Sequence, residues 1–169
     1  DAVKSFTPVS LVGRYVYVLV VAPSLPAKNV AEAIEQARTL RPDVSLLRSA
    51  ADHLSTRSGP EAMVAVRAAH RLLVDEIGPH EQAEDRLLYP AIAGALGGTD
   101  PTGTMSRAHA EISKLTAQTG MIIDRIGDDA PSPGDVLELQ RLLYGLYALL
   151  ELHFAQEDEG YFSLIDDPE

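Results

Sequence analysis

The string HEQAEDRLLYP at residues 80–90 returns in altered form as HFAQEDEGYF at residues 153–162, and both read His-x-x-x-Glu-Asp followed by an aromatic residue. On a helix, residues four apart share a face, with Cβ atoms about 5–6 Å from one another. The histidine and glutamate of each string can therefore reach one metal ion, or two adjacent ones. Two such helices facing each other make a cage, so this repeat constrains the chain to a fold that sets buried helical faces together.

Turn residues and apolar spacing predict four amphipathic helices. The first starts near Val30, after Asn29 and Glu32 in capping-box spacing, carries Ile34, Leu40, Val44 and Leu47, and ends near Thr56. Pro42 either kinks it or restarts it. The second runs from Pro60 to about Leu96 with Val64, Val66, Leu73, Val74, Ile77, Leu87 and Leu88 inside, and Gly78-Pro79 predicts a kink just before His80. The third extends from Thr104 or Ser106 to Ile126, and the fourth from Val136 to about Leu164. Short connections make an all-α, antiparallel up-down four-helix bundle the expected architecture. Residues 1–28 differ: VSLVGRYVYVLVVA is rich in β-branched residues and tyrosine, with Gly13-Arg14 placed like a turn. A β-hairpin or strand extension at 1–28 and a bundle at 29–169 follow.

The chain contains no cysteine, so any metal is held by nitrogen and oxygen donors, a set that suits iron, manganese or zinc. A formal net charge of -11 repels nucleic acid and anionic membranes. The most apolar run, Tyr15 to Ala22, is too short for a bilayer, and DAVKSFTP shows no signal-peptide pattern, which together predict a cytoplasmic protein. No glycine-rich phosphate loop and no serine nucleophile elbow is present.

Antiparallel helices bring residues equally far from their shared loop to one height. His109 and His153 lie at nearly equal distances from Ala130, so they should sit side by side. His53 falls roughly 25 Å away along the axis, and His70 misses the face of His80. The candidate metal ligands are His80, Glu84, His109 and His153, with Glu157 or Asp158 from the last helix. Glu81, Asp85 and Glu159 read as a solvated acidic face. Tyr89, Tyr144, Tyr147 and Tyr161 read as core residues with hydrogen-bonded hydroxyls.

Residues 40–166 resemble the hemerythrin-like, or HHE cation-binding, family, through IGPHEQAEDRLLYPAI, DPTGTMSRAHAEI and LLYGLYALLELHFAQEDEGYFSL. The resemblance implies a bundle holding two non-haem irons bridged by carboxylates, which binds or senses dioxygen, nitric oxide, peroxide or iron. His80 and Glu84 match the second-helix pair, His109 the first histidine of the third helix, and His153 that of the fourth. Glu157 fits the common form of the motif, and Asp158 the longer spacing of hemerythrins proper. Ser113 stands where hemerythrins proper have another histidine. On the first helix, where the family places a histidine, this chain has Glu35, Gln36 and Ala37. One iron, or another divalent metal, is then an alternative to two, with Glu32, Glu35 or Gln36 as partial substitutes. Residues 1–38 resemble a segment of the Bug family of tricarboxylate solute receptors, and such a fusion would replace the part of the first helix that carries the ligand.

Two other functions fit the same sequence. One is a metal-free structural or interaction module that forms homo-oligomers through its N-terminal strand edge. The other is a di-iron enzyme with peroxidase-like or oxygen-activating activity.

Overall fold

The computed structural model describes residues 27–57, 59–96 and 102–162. The expected N-terminal hairpin falls almost wholly on residues outside these, and among the described residues there is no strand. Four rods make up the described fold, and proline placement decides how rods one, two and four are built.

Rod one begins with α1, Val30–Leu40, where the Asn29 side chain accepts from the Glu32 backbone N–H at 2.9 Å. The Glu32 carboxylate accepts in return from the Lys28 N–H at 2.9 Å and the Asn29 amide at 3.0 Å, one residue earlier than a capping box requires. Pro42 sits inside a 3-10 turn, Arg41–Val44, from which α2, Ser45–Thr56, restarts.

Rod two strings together α3, Pro60–Leu72, α4, Gly78–Ala83, and α5, Tyr89–Ala95, through π-turns at Leu73–Ile77 and Glu84–Leu88. A proline has no N–H to donate, and its ring crowds the carbonyl four residues back. A π-turn admits one extra residue, so that each N–H reaches five residues back. Gly78 N–H bonds Leu73 O and Tyr89 N–H bonds Glu84 O, each directly ahead of a proline, Pro79 and Pro90. The kink expected just before His80 falls where the π-turn at Leu73–Ile77 passes into α4, and the helical path continues through it.

Rod three is α6, Gly103–Ile126, and rod four is α7, Pro133–Gln156, extended by a third π-turn at Glu157–Tyr161. Gly127 stops α6 at φ 57, in the left-handed region that glycine adopts freely, with its N–H bonded to Ile123 O. Helix α7 starts earlier than Val136 because Ser132 and Asp135 form a capping box around Pro133.

Cross-rod contacts fix the antiparallel order. Rods two and three meet through Asp85 with Ser106 and Arg67 with the Gly127 carbonyl. Rods three and four meet through Arg125 with Asp135 at one end and His109 with His153 at the other. Rods one and four meet through Tyr144 with Asp52 and Arg41 with Asp158. Helix α2 packs on α3 and α7, while α1 lies along α4 and the second π-turn.

The bundle interior is continuous, with Leu47, Leu73, Ile77, Leu88, Ile112 and Leu146 among its fully buried side chains. Val64 and Val74, expected inside, are 67% and 48% exposed, because Met63, Val66, Ala69 and Leu73 take the inward face. Leu146→Ala is expected to destabilise the protein by about 2–5 kcal/mol through the cavity it leaves, read as a lower urea midpoint at unchanged slope. Among the described residues, no helix is long and apolar enough to cross a membrane.

Candidate metal centre

Glu84, fully buried, stands at the centre of a polar cluster enclosed by the apolar interior. Its Oε1 lies 3.1 Å from His80 Nε2, while its Oε2 lies 3.4 Å from His109 Nε2 and 3.8 Å from His153 Nε2. On rod four, Glu157 Oε1 is 3.1 Å from His153 Nε2, so both repeats fold their histidine and glutamate onto one face as their spacing predicts. His109 and His153 meet at 3.0 Å between Nε2 atoms, the common height that the loop count requires.

Glu84, His109, His153 and Glu157, all buried, each offer a donor atom, and these atoms lie within 4.8 Å of one another. Donors on opposite sides of one ion, at bonds of about 2.1 Å, are about 4.2 Å apart, so the spread is close to that of a single coordination sphere. Buried polar atoms normally have hydrogen-bond partners. Here both oxygens of Glu84 and both ring nitrogens of His80 have none, although His80 Nε2 and Glu84 Oε1 are only 3.1 Å apart. Close, buried, convergent and not hydrogen-bonded to one another, these atoms fit a metal ion as their shared partner.

Surrounding groups orient the donors. Asp85 Oδ2 lies 3.2 Å from His109 Nδ1, not aligned as a hydrogen bond but close enough for its charge to favour a proton on Nδ1 and leave Nε2 facing inward, and Ser106 Oγ donates to Asp85 at 2.8 Å. The Tyr89 hydroxyl donates to Glu157 Oε1 at 3.1 Å and lies 3.1 Å from His109 Nε2. Asp85→Asn is expected to lower metal affinity about 10–100-fold with the helical content unchanged, measured by competition against a chelator of known affinity.

The buried acids and imidazoles shift one another's protonation. Burial works to raise the Glu84 carboxyl, yet the nearby imidazoles of His109, His153 and His80 outweigh it and hold the group well below the usual range. Burial pulls His153 down, but Glu157 and Glu84 more than offset it and push the imidazole up to about 10. His109 is raised against its own burial, chiefly by Glu84 and Glu81. Glu157 is raised by burial and by repulsion from Glu84, and Tyr89 is raised by burial and both glutamates.

Three groups outside the expected ligand set border the cluster: Asp85 is exposed and Tyr89 is buried with a hydrogen-bonded hydroxyl, both as expected, while Glu81 departs from expectation. Glu81, read as solvated, is 3% exposed, and burial pushes it up to about 8. Its spacing of three from Glu84 puts the two carboxylates on neighbouring faces of the helix, a signal present in the sequence. Asp85 reaches His109 from the rim, and Tyr89 reaches the centre itself. In an ordinary helix a residue five beyond Glu84 points well away from it. The π-turn at Glu84–Leu88 stacks Tyr89 over Glu84 instead, and no helical-wheel count anticipates that.

Asp158 is not brought to the cluster: it faces solvent and pairs with Arg41 at 2.8 Å, while Glu157 takes the inward position. Two of the proposed first-helix substitutes, Glu32 and Glu35, also fall away. Glu32 is engaged at the N-cap, Glu35 is exposed and Gln36 is half-buried. The inward face of α1 is built of Ala33, Ile34, Ala37 and Leu40, all apolar, with Ala33 packed beside Ala83. Tyr144 is 40% exposed, and Tyr147 lies under the Arg48 guanidinium, away from His153.

A family model described as the hemerythrin HHE cation binding domain matches residues 31–165. No curated protein and no solved structure matches the chain. The comparisons thus give no support to the Bug-family resemblance of residues 1–38, and the matched region begins inside that stretch.

Proposed function

Because the chain belongs to the hemerythrin HHE cation-binding family, we propose that it is a non-haem iron protein with two unequal metal positions on either side of Glu84, open to dioxygen, nitric oxide or peroxide. The observation that carries this reading is the division of labour at Glu84. One oxygen faces His80 and the other faces His109 and His153, the arrangement of a bridging carboxylate. The position beside His109 and His153 also has Glu157, whereas the position beside His80 receives no donor from Ala33 or Ala37. The first is therefore the stronger of the two. His80, Glu84, His109, His153 and Glu157 would hold the metal, and iron supplies there the redox chemistry and open positions that side chains lack.

Anaerobic titration with ferrous iron, followed by elemental analysis after gel filtration, tests the proposal. The expected result is one tightly retained iron per chain and a second that is lost on dilution. A protein that retains no iron, manganese or zinc and shows no thermal shift with any of them would instead be a metal-free interaction module.

A further inference from the structure

The Tyr89 hydroxyl oxygen closes a ring of four polar atoms with His109, His153 and Glu157. It lies 3.1 Å from His109 Nε2, which lies 3.0 Å from His153 Nε2. His153 Nε2 lies 3.1 Å from Glu157 Oε1, and Glu157 Oε1 lies 3.1 Å from the Tyr89 oxygen again. Donors at right angles about one ion, at bonds of about 2.1 Å, stand about 3.0 Å apart, so every side of the ring has the span of two neighbouring ligands. Hydrogen bonds alone leave this crowding unexplained. His109 Nε2 has the Tyr89 oxygen, His153 Nε2 and Glu84 Oε2 all within 3.4 Å. An imidazole nitrogen carries one proton or one lone pair, so it can serve one of these neighbours well, and not all of them. An ion among them serves every atom of the ring.

Packing does not call for the hydroxyl either. Tyr89 and Phe162 stand at the same place in the two repeats, each directly after the π-turn that a cluster glutamate opens, Glu84 in one and Glu157 in the other. Both rings are buried, at 4% and 3% exposure, and Phe162 lies under the Arg38 guanidinium. The same turn closes on an aromatic ring with or without an oxygen, and the oxygen is present where the ring reaches the donors. We propose that Tyr89 is itself a metal ligand, through its hydroxyl oxygen, at the position formed by His109, His153, Glu157 and Glu84 Oε2, and that it makes this position prefer ferric iron. The proposal rests on the metal reading above and extends it by one donor. On coordination the hydroxyl proton is displaced to solvent, and the hydrogen bond to Glu157 is exchanged for a bond to the ion, with no change of oxidation state. Three anionic oxygens, from Glu84, Glu157 and Tyr89, then stand beside the neutral imidazoles of His109 and His153. Their charge matches that of a trivalent cation and exceeds that of zinc or ferrous iron.

Tyr89→Phe keeps the buried ring and removes only the oxygen. Ferric-loaded parent is expected to show a visible phenolate-to-iron charge-transfer band, with tyrosine ring vibrations enhanced in the resonance Raman spectrum on excitation into it. Tyr89→Phe is expected to show neither at equal iron content, measured by elemental analysis. Competition against a chelator is expected to give the variant a ferric affinity at least about tenfold below that of the parent, with a smaller loss for zinc. Iron-bound parent without the tyrosine vibrations overturns the ligand assignment and leaves the metal reading standing, and this spectrum decides the matter even where the variant fails to fold. A band that persists in folded Tyr89→Phe, or equal ferric affinity in the two proteins, overturns the assignment as well. A loss for zinc as large as that for ferric iron overturns the ferric preference alone. A parent that retains no metal overturns the metal reading, and the assignment of Tyr89 with it.

Discussion

Replacing Glu84 with alanine is expected to abolish tight metal binding, with less than one tenth of the parent's metal remaining per chain after gel filtration. Glu84 is the one residue whose side chain approaches His80, His109 and His153 together. Loss of a supporting partner to a metal ligand costs about 10–100-fold in affinity. Loss of the carboxylate that serves both positions should exceed that range. The same change removes the main counter-charge of the buried imidazoles, which desolvation then drives toward neutrality. The helical circular dichroism of the metal-free variant is expected to match that of the parent, since no backbone bond depends on the carboxylate. Binding equal to that of the parent would exclude the cluster as the metal centre.

Metal removal is expected to produce the second large effect, and one that grows with pH. At a free metal concentration of about 1,000 times the dissociation constant, binding stabilises the folded state by about 4 kcal/mol. For a chain of this size, each kcal/mol moves Tm by about 2–4 °C, so chelation should lower Tm by roughly 8–16 °C. His153 is raised from 6.5 to about 10 in the folded, metal-free state, so its contribution is complete below its unfolded value and is lost as pH rises toward 10. Glu81, raised from 4.5 to about 8, acts in the same direction and loses its contribution as pH rises through 8. Glu84, lowered from 4.5, contributes only to loss of stability in acid, below that window. Metal-free protein should therefore become less stable from about pH 6.5 to 9. Metal requires neutral imidazole and supplies the counter-charge itself, so the gap in Tm between loaded and stripped protein should widen over the same range. Paired thermal melts with and without chelator measure it, and a gap that narrows with rising pH would contradict the account.

Where the chemistry follows ordinary helical periodicity, the sequence makes it readable. The pairs His80/Glu84 and His153/Glu157 share faces because four residues nearly complete a turn, and His109 meets His153 because rise per residue is constant. The Asn29 cap likewise accounts for the start of α1 at Val30, and the turn residues that follow account for the end of α2 at Thr56. What escaped the sequence lies where periodicity fails. Tyr89 enters the cluster through an extra residue in the turn at Glu84–Leu88, and the prolines that accompany such turns look in sequence like simple breaks. Glu81 escaped for another reason. A glutamate beside a metal-type histidine reads as solvated unless one knows how deeply the helix is set, and depth depends on the small residues packed opposite, Ala33 among them.

Those alanines also determine which part of the molecule breathes. Every donor in the cluster comes from rods two, three and four, so a bound ion ties these three together and leaves rod one outside its reach. Near this level, rod one is held by the apolar side chains of Ala33, Ile34, Ala37 and Leu40 and by the exposed Arg41–Asp158 pair, which contributes little. Amide hydrogens of α1 should therefore exchange with solvent through local opening, at rates that metal loading hardly changes, while those flanking His80, His109 and His153 become strongly protected.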